Sequence, residues 1–207
     1  MAVRGDGLVL MHDDLLGRTV AGHGNVGELS AAELRVKDAG RWFSNDFAGE
    51  PVPSFAEAAA FCLAAGVFMN VEIKPVPGEA SRTGRLVAQA CASLPLGHVL
   101  LSSFSAQALK AALDTAPHVP RALLVDELPA DWAAKLTALS AVALHVQASQ
   151  LRPEQAQSIK AAGFGLFCYT VNDAAKARAL FAMGVDAICT DRLDLIGPDF
   201  FIAPEIT

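Results

Sequence analysis

A chain of 207 residues is long enough to bury one full core and short for a complete α/β barrel. With 53% apolar and 18% charged residues it has the composition of a compact enzyme and not of a disordered or fibrous chain. The formal charge of −6, with no run of Lys and Arg, excludes a nucleic-acid surface, and no apolar segment reaches membrane-spanning length.

The turn signal Gly5-Asp6-Gly7 precedes an apolar run at residues 8–11, predicted as a short strand that delivers His12 and Asp13 at its end. Residues 16–28, punctuated by Gly22, Gly24 and Gly27, read as a loop. Ser30-x-x-Glu33 is a capping box for a short helix over residues 30–36. Residues 38–53 are irregular and carry Trp42, Phe43 and Phe47; a long loop with aromatic anchors is either functional or a packed lid. A second capping box, Ser54-Phe55-Ala56-Glu57, opens a helix that ends at Gly66.

Residues 68–74, Phe-Met-Asn-Val-Glu-Ile-Lys, then form a short buried strand closed by Pro75, Pro77 and Gly78. Glu72 and Lys74 point to one face of it, roughly 6–7 Å apart along the chain. Charges in an apolar strand are costly unless paired or used. The pair is either a buried salt bridge or a carboxylate for a metal ion beside an ammonium for an anion, which together describe a phosphate site.

Further strands recur at residues 99–104, 121–125, 142–146, 165–171 and 187–190, beginning 21–23 residues apart after the first interval. Helix signals fill the gaps: Ser105 as a cap, Pro153 in a first turn with Gly163 at the far end, and Asn172 as a cap before Gly184. Such alternation gives parallel βα units, in either a barrel or a doubly wound sheet. No Gly-x-Gly-x-x-Gly turn opens a dinucleotide site. Polar residues collect at strand ends (Glu72 and Lys74, Ser102 and Ser103, Thr170 and Asn172, Thr190 and Asp191), where barrel enzymes keep their chemistry. The barrel is the fold expected. Six such strands fall about two short of the eight a closed barrel needs, so the fold class is a TIM-type (β/α)8 barrel truncated N-terminally by about two strands.

Four cysteines, Cys62, Cys91, Cys168 and Cys189, lack close-paired metal spacing; Cys168 and Cys189 lie in apolar, strand-like runs. A reducing, cytoplasmic compartment is expected. His23, His98 and His118 fall in or beside loops, and His145, inside a strand, is expected to be a hydrogen-bonded interior histidine.

Four strings occur in order: Leu10-Met11-His12-Asp13-Asp14 with Gly17-Arg18-Thr19; Asn70-Val71-Glu72-Ile73-Lys74; Tyr169-Thr170-Val171-Asn172; and Val185-Asp186-Ala187-Ile188-Cys189-Thr190-Asp191. With Gly49-Glu50-Pro51 and Pro53 before a capping box, the set resembles the glycerophosphodiester phosphodiesterases of the cytosolic bacterial type, from Asp6-Gly7 to Phe200. The resemblance implies a single domain over residues 1–207 that hydrolyses glycerophosphodiesters to glycerol 3-phosphate and an alcohol. It implies His12 as a catalytic acid or base, where the residue alone reads equally as a strand-end cap. It implies Glu72 as ligand to a divalent cation, Mg²⁺ or Ca²⁺, and Lys74 as the phosphate partner. Tyr169 matches a pocket-lining aromatic, the alternative being a core position, and Phe104 and Asn172 are weaker candidates. Asp13, Arg18, Thr190 and Asp191 match positions near the site, where each either serves it or orients loops.

The family's opening His-Arg-Gly and its Glu-x-Asp pair have no counterpart here; counting back from His12, the pair falls just before Met1. The chain is therefore expected to be incomplete at its N-terminus, to keep one metal ligand of three and to be impaired. An open sheet edge would invite homo-oligomers. The partner otherwise expected is a small-molecule glycerophosphodiester, with no nucleic acid and no membrane span. A non-catalytic barrel domain binding glycerol phosphate or a partner protein is the alternative, and a phospholipase D-type lipid hydrolase a remoter one.

Overall fold

Helices and strands alternate along the chain because apolar runs bounded by Gly and Pro alternate with capped, Ala-rich segments. The computed structural model describes Met1, Gly5 and residues 7–200. Asp6, in the predicted turn, lies outside the described residues. The chain divides into two compact units, one ending at Pro120 and the other beginning at Arg121.

In the first unit the predicted strand at residues 8–11 is not a regular strand. Val9 makes an isolated antiparallel bridge to Ser54, and Leu10 N–H and Leu8 C=O bond Pro53 O and Phe55 N at 3.0 Å each. An apolar run encodes burial but not a neighbour with which to form a ladder. Val9, Leu16, Val20, Val26, Leu34 and Val52 instead form a core under the long loop. Asp38 ties that loop together: its carboxylate accepts from the backbone of Gly40, Arg41 and Gly49. Helices α1 (Ala31–Arg35) and α2 (Phe55–Ala64) each begin with the expected capping box, from Ser30 and Ser54.

Strand β1 (Met69–Glu72) pairs in parallel with β2 (Val99–Ser103), Glu72 opposite Ser102. Helices α3 (Ala80–Cys91) and α4 (Ala106–Thr115) follow them, the latter capped by Ser105 as expected. The two helices meet at Gly84, where an added Cβ would lie 2.2 Å from the Ala108 carbonyl oxygen, so only glycine permits the approach.

The second unit repeats the pattern. Strands β3 (Arg121–Val125), β4 (Ala143–Gln147), β5 (Gly165–Tyr169) and β6 (Ala187–Ile188) pair in parallel in chain order. Helices α5 (Trp132–Ala138), α6 (Pro153–Ala161, Pro at its first position) and α7 (Ala174–Ala182) intervene. The class is α/β with parallel strands, and all six predicted βα strands are found.

Three further expectations differ from the structure. Asp173, not Asn172, caps α7, accepting from Lys176 N–H at 2.7 Å. His145 packs on the Phe167 ring at 4.5 Å, and its buried Nδ1 has no hydrogen-bond partner among the described residues. Cys189 is exposed beyond the end of β6, whereas Cys168 is buried.

Candidate active site

The end of β1 and the segment after Met11 bring three sequence-predicted residues of the first unit together. Glu72 closes β1, and the chain continues through Ile73, whose N–H bonds Ser102 O at 2.7 Å, before Pro75 forces it away. Lys74 Nζ therefore returns to within 3.5 Å of Glu72 Oε1, and both side chains remain about a quarter exposed. The same ammonium lies 3.4 Å from His12 Nε2, across 62 positions of sequence. His12, Glu72, Lys74 and Phe104 line one open cleft with Asp13, Asp14, Arg18, Ser103 and Ser105.

Behind His12 stands a charged pair. Asp13 Oδ1 is 2.8 Å from His12 Nδ1, and Arg18 donates to both oxygens of Asp13, from Nε at 2.6 Å and Nη2 at 2.8 Å. Arg18 Nη2 is itself 3.2 Å from His12 Nδ1. The Arg18 hydrogen bonds first, and that of His12 second, hold the Asp13 carboxyl down to about 2. The sequence places Asp13 and Arg18 near the site; the fork joining them is visible only in three dimensions.

Ser103 was missed as a positioning residue. Its hydroxyl donates to Ile73 O at 2.7 Å and accepts from Ser105 N–H at 3.0 Å, fixing the peptide between Glu72 and Lys74. The signal was a polar side chain closing an apolar strand. Tyr169 is placed at the end of β5 in the second unit, its hydroxyl donating to Val125 O at 2.9 Å. There Asn172 holds the segment after β6, accepting from Asp191 N–H at 2.8 Å and donating to its carboxylate at 3.0 Å.

An exposed imidazole, a lysine ammonium and a carboxylate at one strand end suit proton transfer at an anionic ester. For a hard cation, Glu72 is an oxygen donor of the right kind. The described residues contain no group of three or more His, Cys, Asp or Glu arranged to hold a metal with it.

Residues 5–195 match the model of the glycerophosphoryl diester phosphodiesterase family. The chain belongs to that family. Its members are phosphoric diester hydrolases, and individual relatives agree with the match. A glycerophosphodiester phosphodiesterase of Caldanaerobacter subterraneus subsp. tengcongensis is 30% identical over 189 residues, spanning 89% of this chain and 76% of the relative. A phosphodiesterase of Oleispira antarctica, solved with the product sn-glycerol-3-phosphate, is 33% identical with a TM-score of 0.87, over 91% of this chain and 78% of that one. A glycerophosphodiester phosphodiesterase of Agrobacterium tumefaciens is 26% identical with a TM-score of 0.67, over 91% and 80%. Among the described residues no helix is long and apolar enough to cross a membrane.

Proposed function

We propose that this phosphodiesterase hydrolyses glycerophosphodiesters, releasing glycerol 3-phosphate and an alcohol, at the cleft formed by His12, Lys74 and Glu72. The observation that carries the reading is the meeting of His12 Nε2, Lys74 Nζ and the Glu72 carboxylate within 3.4 and 3.5 Å at the end of β1. Lys74 swings from these neighbours to an anionic phosphoryl oxygen and stabilises charge as it grows there. His12 Nε2 exchanges a proton with the attacking or the leaving oxygen, so that a water O–P bond forms, the alcohol P–O bond breaks and the alcohol leaves protonated. Phe104, which lines the same cleft, is read as a wall for the substrate.

Glu72 would hold Mg²⁺ or Ca²⁺ together with phosphodiester oxygens and water, and the cation would supply charge neutralisation at phosphorus. The strands are read as part of the (β/α)8 barrel. The four free cysteines fit a reducing, cytoplasmic setting.

The test is release of glycerol 3-phosphate from glycerophosphocholine with and without added Mg²⁺ or Ca²⁺. Turnover is expected to rise with the cation and to fall about 10²–10⁴-fold in His12→Ala. Unchanged turnover in that variant overturns the assignment. Binding of glycerol 3-phosphate without turnover under any condition points instead to a non-catalytic binding domain.

A further inference from the structure

We propose that Asp13 is a positioning residue that keeps the proton of neutral His12 on Nδ1 against a competing donor, Arg18. The inference rests on the reading of His12 as the group that acts at phosphorus, and deepens it by saying how that imidazole is kept competent.

Nδ1 of His12 has two neighbours with opposite demands. Asp13 Oδ1, at 2.8 Å, can only accept, whereas Arg18 Nη2, at 3.2 Å, can only donate. A neutral imidazole nitrogen meets one demand or the other. Proton on Nδ1 satisfies Asp13 and leaves the lone pair on Nε2; proton on Nε2 satisfies Arg18 and removes that lone pair.

Two observations decide the contest. Arg18 is anchored on Asp13 through Nε and one N–H of Nη2, at 2.6 and 2.8 Å, which leaves the second Nη2 N–H as the competitor, at 3.2 Å from the ring against 2.8 Å for Asp13. On the far side Lys74 Nζ, a donor only, faces Nε2 at 3.4 Å and calls for a lone pair there. Nδ1–H then meets the contacts with Asp13 and Lys74, and only that with Arg18 goes unmet. The arrangement serves both directions of proton transfer. The neutral ring takes a proton at Nε2, and the imidazolium returns it from Nε2, while Nδ1–H stays on Asp13.

Replacing the carboxylate by an amide upsets the balance. Asn at position 13 offers one acceptor where Arg18 had two, and freed guanidinium N–H groups turn to the nearest alternative, Nδ1. The proton then settles on Nε2, and the ring can no longer act as a base towards the cleft.

The experiment uses the full chain and its imidazole nitrogen–proton correlations, with His12→Gln assigning the His12 signals among the five histidines. In the unsubstituted protein the neutral ring is expected as the Nδ1–H tautomer. In Asp13→Asn it inverts, and kcat falls on the order of 10²–10⁴-fold with KM changed little, as for other imidazoles that lose a supporting carboxylate. Adding Arg18→Gln to Asp13→Asn removes the competitor; it restores the Nδ1–H signature and raises kcat at least about tenfold over the single variant.

A carboxylate that merely pins the loop through Arg18 predicts no such rescue. A double variant no faster than Asp13→Asn, or an Asp13→Asn protein that keeps Nδ1–H, overturns the proposal. Both side chains lie at the surface, 23% and 57% exposed, so circular dichroism and melting should confirm retained folding in each variant. Turnover that survives His12→Gln overturns the role given to His12 instead, and the nitrogen spectrum still decides the tautomer.

Discussion

Lys74 is held between two partners, and neither contact is short. At 3.4 Å from His12 Nε2 and 3.5 Å from Glu72 Oε1 it makes weak bonds that a phosphoryl oxygen, carrying charge and several lone pairs, readily displaces. Lys74→Met should therefore lower kcat/KM by roughly 10²–10³-fold, the usual effect of removing one donor to a developing oxyanion. Lys74→Arg should restore only part of this, because the planar guanidinium cannot occupy the space between the imidazole and the carboxylate as a point charge does. A Lys74→Met protein with unchanged kinetics on glycerophosphocholine would remove the ammonium from the site. Ser103 acts one step further back, since it holds the peptide from which Lys74 springs.

Among the elements, α1 and α2 are joined through one carboxylate. Glu57 closes the α2 capping box by accepting from Ser54 N–H and Oγ–H at 3.0 and 2.7 Å, and its two oxygens also take both terminal nitrogens of Arg35 at 2.6 Å. Arg35, and then Ser54, hold its carboxyl down to about 2. Ser54→Ala should destabilise the fold by about 1 kcal/mol, measured by urea unfolding, as other lost caps do. Packing of α3 on α4 supplies a second test. Gly84→Ala places a methyl 2.2 Å from the Ala108 carbonyl oxygen, so the helices must part, at a cost of roughly 1–3 kcal/mol. A variant as stable as the parent would mean that the helices already stand further apart.

At the scale of the whole chain the strands were legible because each is an apolar run fenced by Gly, Pro or a capping side chain. The residues of the site were legible for a different reason: charges inside apolar strands and at their ends have few other uses. What escaped depends on neighbours distant in sequence. Asn172 and Asp173 are both good caps, and only the fold decides that Asp173 takes α7 while Asn172 clasps Asp191. His145 looks like any interior histidine until its Nδ1 is found unsatisfied against Phe167. That detail sets the response of the whole fold to acid. Burial pushes the His145 imidazole from 6.5 down to about 4, so between those values the unfolded chain binds a proton that the folded chain refuses. Stability therefore rises with pH across this window and is lost as pH falls through it, by about 3 kcal/mol in all. The carboxyls of Asp13, Asp38 and Glu57, held to about 2, act lower. Their contribution is full above their ordinary values of 3.8 and 4.5 and disappears as pH falls towards about 2. The buried Met1 amino group, lowered from 8.0 to about 6, acts above that value, so among the described groups with a resolved shift His145 alone works between pH 6 and 4.5. His145→Phe keeps a ring against Phe167 and removes the titration. Urea midpoints of this variant should be nearly flat from pH 6 to 4.5, where those of the parent decline, and the two curves should run parallel below about pH 4. An equal decline in both would show that the interior imidazole accepts its proton without loss and that acid opens the fold elsewhere.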